Sequence, residues 1–285
     1  MSVSLVDKLP DSSGKAGIRL WLKSSGYARR LLLGEAGDPW LNAAGFLAFF
    51  SQAHGLLRPD VAVLDVNDLL CSWASRHPEL IAEMASKKRV NFPLRKLLEA
   101  EGPRKLLAEV LEAVAGCVRG QASAVLALPS PRAWLRLTNQ MVGRNDVEIE
   151  DDDIEDAAMY MADFLRSVSA SPVGGILLED GVDAAKAGDV DRSRPIINVV
   201  RHYRWGVIWH TKGDAEAISA IAWAVDSIIS STPLAGIEKA VGLDVGTELW
   251  SGGAIPQLSP GQFYFVEIPV DQKPESVLEN LVRLR

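Results

Sequence analysis

Cysteine is scarce. The chain has two in 285 residues, Cys71 and Cys117, far apart in sequence. That excludes a disulfide-stapled scaffold and fits two reduced thiols in a cytosolic protein. Long apolar runs are missing too. None approaches the roughly 18 residues of a membrane span, and the opening MSVSLVDKLPDSSGKAG lacks the apolar stretch of a secretory signal. The expectation is a soluble, cytoplasmic protein with no membrane partner. Positive charge is in deficit: 30 Lys and Arg stand against 37 Asp and Glu, a net charge of −7. Such a surface repels phosphate backbones, so nucleic acid is not an expected partner. Glycine-rich fingerprints are missing as well. The segment KSSGYARR after the first candidate strand has no G-x-G-x-x-G spacing, and no G-x-x-x-x-G-K-[ST] or G-x-S-x-G occurs anywhere. Dinucleotide, nucleotide triphosphate and serine hydrolase sites therefore have no local support. Four histidines and two isolated cysteines offer no zinc spacing, so neither metal nor cofactor is expected.

What is present is alternation. The chain is 48% hydrophobic and 24% charged, enough to bury a core without a metal or disulfide. With no repeat and no linker, residues 1–285 read as one domain, with 1–17 a poorly ordered or peripheral N-terminal segment. Short apolar runs predict strands over 18–22, 61–66, 122–128, 175–178, 206–210, 225–229, 247–250 and 263–268. Most are continuously apolar, the pattern of parallel strands covered on both faces. Helical spacing falls between them, over 104–118, 153–168, 214–222, 234–241 and a last helix opened by Pro274. Cys117 is expected on the buried stripe of the helix over 104–118. Eight strands each followed by helical pattern imply an α/β fold of the (β/α)8 TIM-barrel type, with a doubly wound open sheet as the competitor.

In such a barrel chemistry sits at the C-terminal strand ends. That rule selects Lys23, Tyr27, Arg29 and Arg30 after the first strand, Asp65 and Asp68 at the end of the second, Glu179 and Asp180 after the fourth, His210 and Lys212 after the fifth, and Glu248 and Trp250 in the seventh. His202 and Arg204, in RHYR before the fifth strand, form a further cluster. Asp68 is either the N-cap of the following helix or an acceptor for a substrate N–H. His210 is either a packed core residue or a general acid–base. The basic residues pair with substrate carboxylates or are solvated surface charge. Trp21, Trp134, Trp209 and Trp250 form a flat wall for a planar substrate or pack the core. The seven acids within 148–156 read as a solvated helix start. The segments 129–145 and 180–194 are candidate lids.

At these residues the chain resembles the uroporphyrinogen decarboxylase family, within the group that includes cobalamin-independent methionine synthase. RLWLKSSGYARRLL is similar to that family's first strand and its W-L-M-R-Q-A-G-R-Y loop. DVAVLDVNDLL is similar to the segment ending F-S-D-I-L, which implies that Asp68 matches the family's pyrrole-binding aspartate. SAVLALPSPRAWL, GGILLEDG, GVIWHTKG and FYFVEIPVDQKPESVLENLVRLR follow in family order. The resemblance implies a barrel, a homodimer and a cleft at the strand ends. Lys23 and Tyr27 stand where the family has two loop arginines, the late histidine is missing, and His210-Thr211-Lys212 is not the H-x-C of the zinc methyltransferases.

The reading is a cofactor-independent lyase, a decarboxylase of a small carboxylated compound, aromatic or not. Lys23, Arg29 or Arg204 would bind the carboxylate, Asp68 would orient the substrate, and His210 would return a proton to carbon. The alternatives are methyl transfer from a corrinoid protein or methylated small molecule, and a non-catalytic ligand-binding barrel.

Overall fold

The computed structural model describes residues 4–13, 17–118, 122–182, 184–232, 234 and 236–285. Its eight strands are β1 (Leu20–Lys23), β2 (Val61–Asp65), β3 (Ser123–Pro129), β4 (Gly175–Glu179), β5 (Gly206–His210), β6 (Ser227–Ser230), β7 (Ala240–Asp244) and β8 (Gln262–Glu267). The helices are α1 (Ser25–Leu33), α2 (Ala43–Leu57), α3 (Val66–Ser75), α4 (Pro78–Ala85), α5 (Phe92–Glu99), α6 (Glu101–Val118) and α7 (Pro131–Met141). They continue with α8 (Asp151–Ser167), α9 (Ala187–Arg192), α10 (Arg194–His202), α11 (Ala215–Ala224), α12 (Gly246–Trp250) and α13 (Pro274–Val282). The strands are all parallel in the order β1-β8-β7-β6-β5-β4-β3-β2. They form a nearly closed barrel with the helices outside, a single-domain TIM-type fold. Among the described residues no helix is long and apolar enough to cross a membrane.

Period-two alternation divides the strand residues between two cores. Trp21, Val61, Val125, Ala127, Leu177, Ile208, Ile229, Phe263 and Phe265 point inward and fill the barrel. Ala124, Leu126, Leu128, Ile176, Leu178, Val207 and Trp209 point outward and pack under the helices. Both faces are apolar, which is why the strands appear in the sequence as unbroken apolar runs.

Several expectations are corrected. The segment 247–250 is helical, in α12, and the seventh strand is β7, which begins at the end of the stretch expected to be a helix over 234–241; Pro233 and Ala235 lie outside the described residues. Glycine at Gly242 explains the error: it weakens the strand signal, yet a Cβ there would meet Ile229 Cγ1 at 2.6 Å and the Phe263 ring at 2.8 Å. The N-terminal segment is not peripheral over its described part. Leu5 is wholly buried and Leu9 nearly so, in the same core as Trp21. Leu5 lies against Gly175 and Gly206, the first residues of β4 and β5, so it plugs the lower mouth of the barrel. Cys117 is exposed, because the buried stripe of α6 runs through Val110, Leu111, Val114 and Val118 instead. The segment 129–145 is mostly α7. It is tied to α9 by a buried bidentate pair, Arg132 Nε and Nη2 to Asp189 at 2.9 and 2.8 Å, so over their described residues neither expected lid segment is a wholly free loop.

Candidate active site

The last inward-facing residue of most strands is charged. Two positions beyond the core residues Trp21, Val63, Leu177, Ile208, Gly242 and Phe265 come Lys23, Asp65, Glu179, His210, Asp244 and Glu267. The barrel thus carries a polar ring on top of an apolar plug, built by strand periodicity alone. These groups line an open cleft of about 940 Å3, its mouth included, together with Asn67, Asp180, Gly181, Val182 and Lys212, except that Asp244 stands behind His210.

Lys23 is the focus of one half. Its Nζ donates to Glu179 Oε2 at 2.8 Å and Oε1 at 3.0 Å, and lies 3.6 Å from both Asp65 and Glu267. Burial works against its charge, but Glu179, Asp65 and Glu267 overcome burial and hold the ammonium ionised far above ordinary lysine values. It is therefore a fixed cation, not an amine nucleophile.

His210 is the focus of the other half. Its Nε2 is 3.0 Å from Asp244 Oδ2, its Nδ1 is 4.0 Å from Glu179 Oε1, and its ring packs on Phe265. Burial pulls its pKa down, but the hydrogen bond to Asp244 and the nearby Glu179 carboxylate outweigh burial and raise it to about 9. Glu179 and Asp244 answer in kind: burial opposes their ionisation, while Lys23 for the first and His210 for the second lower their pKa. The result is an alternating line of charge, Lys23⁺, Glu179⁻, His210⁺, Asp244⁻, along one side of the cleft.

Asp68 stands apart from this line. The N-cap of α3 is Asp65, whose Oδ1 accepts from Asp68 N at 3.0 Å, so the cap alternative for Asp68 is filled by its neighbour. Burial first, and Asp65 second, raise the Asp68 pKa to about 6, with Arg29 and Lys23 opposing. Asp65 is also raised, by burial against the pull of Lys23.

The remaining sequence candidates divide clearly. Lys212 lies exposed at the cleft. Asp180 is buried and clamps the structure, accepting from Trp209 Nε1 at 2.8 Å and Ala185 N at 3.1 Å. Arg29 is exposed on α1, and its charge favours the ionised Asp68. Tyr27, on the opposite face of that helix, is buried among Leu57, Val277 and Leu281 and does not reach the cleft. Trp134 is fully buried with its Nε1 on Asn67 Oδ1, and Trp21 and Trp209 are fully buried too, so the flat wall is core packing. Trp250 donates to the Glu267 carbonyl at 2.9 Å, and Glu248 is exposed on α12 rather than at a strand end. His202 and Arg204 precede β5 and so lie at the opposite rim, away from His210.

The strand-end rule reaches Asp65 but gives it no role, and it does not reach Asp244 or Glu267. The signal existed: AVGLDV around Asp244 repeats the VAVLDV around Asp65, and FVE closes β8 as LLE closes β4. Among the described residues no group of three or more His, Cys, Asp or Glu side chains is arranged to hold a metal ion. Around Lys23 the ammonium itself occupies the point where carboxylates converge.

No family model matches the chain, and no curated protein matches it. Among solved structures it is similar to 2,3-dimethylmalate lyase, a PEP mutase/isocitrate lyase superfamily member, at 13% identity and a TM-score of 0.43 over 99% of this chain and 82% of that one. It is also similar to endo-β-N-acetylglucosaminidase from Cordyceps militaris, at 9% identity and a TM-score of 0.42 over 92% and 84%. At that distance the activity of neither neighbour is carried to this chain.

Proposed function

We propose that the protein is a cofactor-independent lyase working by acid catalysis, and that the group it removes is CO2 from a small carboxylated compound. The observation that carries this reading is the partly buried His210, held as imidazolium between Asp244 and Glu179 at the floor of a cleft. Loss of CO2 leaves an electron pair on carbon, and that carbon needs a proton. An imidazolium whose Nε2–H is engaged by Asp244 keeps Nδ1–H for the substrate. As the C–C bond breaks, its electrons pass to the substrate carbon and the Nδ1 proton follows them, leaving neutral His210 and free CO2. Lys212, exposed at the cleft, is the cation available for the substrate carboxylate, since Lys23 is committed to Glu179. Glu179 beside the reacting centre disfavours a second negative charge there in the ground state more than in the transition state, where the carboxylate charge is leaving.

The motif likeness to uroporphyrinogen decarboxylases is compatible with this reaction type. The substrate we propose is different, because Asp65, Glu179 and Glu267 at the cleft repel a polycarboxylate. Nothing in the site favours zinc-dependent methyl transfer: burial first, with Asp68 and Asp65, raises Cys71 to about 11, away from the thiolate that zinc takes.

The test is CO2 release from a panel of aromatic and aliphatic acids, with His210→Gln as control. The expected result is turnover that falls about 100- to 10,000-fold in the variant, the range of a general acid. Turnover equal in both proteins refutes the assigned role. A panel member that binds tightly and is recovered unchanged supports a non-catalytic barrel instead.

A further inference from the structure

The polar ring of the barrel has a gap at β3. Val125 and Ala127 point into the barrel, and the next residue on that face of the strand is Pro129. Its register partner on β4 is Glu179, which pairs in turn with His210 on β5. The neighbouring strands β2 and β4 end on Asp65 and Glu179, whereas β3 ends on a side chain with neither charge nor hydrogen-bonding atom. The apolar character continues above the gap. Ala133 and Leu137, four residues apart on one face of α7, line the same cleft as Pro129. Val182, just past the left-handed turn at Gly181, completes the wall.

Two features make this wall a place for a ligand. Leu137 is 38% exposed and Val182 93% exposed, so both leave large apolar surfaces in water at the mouth of a cleft. The wall is also held in place. The Arg132–Asp189 pair and the bond from Trp134 Nε1 to Asn67 Oδ1 fix α7, and Asp180, which accepts from Trp209 and Ala185, anchors the start of the loop that carries Val182. Inside its mouth the cleft has a volume of about 390 Å3, the size of a small-molecule site.

We propose that the wall of Pro129, Ala133, Leu137 and Val182 seats an apolar arm of the substrate, so that the compound taken by the cleft is a monocarboxylate bearing an alkyl or aryl group. The inference rests on the proposed function and names its substrate class. The carboxylate points toward Lys212, the reacting carbon lies at His210 Nδ1, and the arm passes over Glu179 onto the wall. Two strand spacings, about 10 Å, separate the Pro129 and His210 positions, a span that a hexyl or phenethyl arm crosses and a methyl group does not. A second carboxylate at the end of the arm would meet side chains that donate no hydrogen bond and would stand beside Asp65 and Glu179.

The experiment is calorimetric titration of the full chain with acetate, hexanoate, 3-phenylpropionate and adipate. Hexanoate and 3-phenylpropionate are expected to bind roughly 10- to 100-fold tighter than acetate, the gain from burying an apolar group of that size. Adipate, of hexanoate's length with a second carboxylate in place of its methyl end, should bind at least about 10-fold more weakly than hexanoate. The double variant Leu137→Gln/Val182→Ser, changed only at exposed positions, should lose the gain of the arm. Proton cross-relaxation in the unmodified protein is a second readout that needs no variant to fold: ring protons of bound 3-phenylpropionate should contact the methyl groups of Leu137 and Val182. Equal binding of acetate and hexanoate, adipate matching hexanoate, no binding at all, or ring contacts to methyl groups away from this wall overturns the proposal. CO2 release from acids irrespective of their arm removes the inference and leaves the lyase. Arm-dependent binding with no CO2 release from any acid supports the wall and removes the lyase.

Discussion

Replacing Lys23 by Met tests the electrostatic construction of the cleft, because it removes the cation and keeps the length of the side chain. At an effective dielectric near 20, the contact with Glu179 at 2.8 Å corresponds to about 6 kcal/mol and that with Asp65 at 3.6 Å to about 5 kcal/mol. Glu267, with its side chain 60% exposed, adds under about 1 kcal/mol. Much of that sum offsets the cost of burying the charges. What the variant loses is the compensation of Glu179 and Asp65, whose side chains are each 15% exposed. Breaking a buried pair from one side costs about 3–5 kcal/mol. Urea unfolding at pH 7 should show that loss as a lower midpoint with an unchanged slope. Lys23→Met/Glu179→Gln, which removes both charges, should regain at least about half of it. A single variant within about 1 kcal/mol of the parent, or a double variant no better than the single one, would refute the reasoning.

Three further predictions follow from the same geometry. In Asp244→Asn the His210 imidazole, followed by nitrogen-15 NMR, should titrate well below the value of about 9 set by Asp244 and Glu179, and an unchanged titration contradicts the dyad. The sign of its stability linkage is fixed. A folded value of about 9 against 6.5 unfolded stabilises by roughly 3 kcal/mol below pH 6.5, and that contribution is lost as pH rises through about 9. Thermal midpoints from pH 6 to 10 should therefore fall more steeply in the parent than in His210→Gln. Gly242→Ala should cost about 1–3 kcal/mol by overpacking against Ile229 and Phe263 inside the barrel, read from the urea midpoint.

The barrel was legible where both faces of a strand are apolar. The runs VAVLD, SAVLALP, GILLE and GVIWH are unbroken, and β2 to β5 lie where periodicity puts them. The seventh strand was not legible, because Gly242 interrupts it and the Thr247–Trp250 tetrapeptide looks more strand-like than it is. Lys23, Glu179 and His210 were legible from the rule that chemistry sits at strand ends. Asp244 was lost with its strand. The capping of Asp68 by Asp65 was invisible, since either aspartate suits an N-cap and only the backbone path into α3 decides between them. His202 and Arg204 have suitable chemistry, but a cluster before a strand belongs to the lower rim. The burial of Trp21, Trp134 and Trp209 needed three dimensions, because tryptophan serves cores and binding walls equally well.

The most direct measurement is the pH dependence of CO2 release under saturating substrate. If His210 must carry its proton to the substrate carbon, turnover falls as pH rises through about 9, and the falling limb moves to lower pH in Asp244→Asn. A rate that stays level or climbs across that range, with a limb indifferent to Asp244, would contradict acid catalysis by His210 and with it the reading of the cleft.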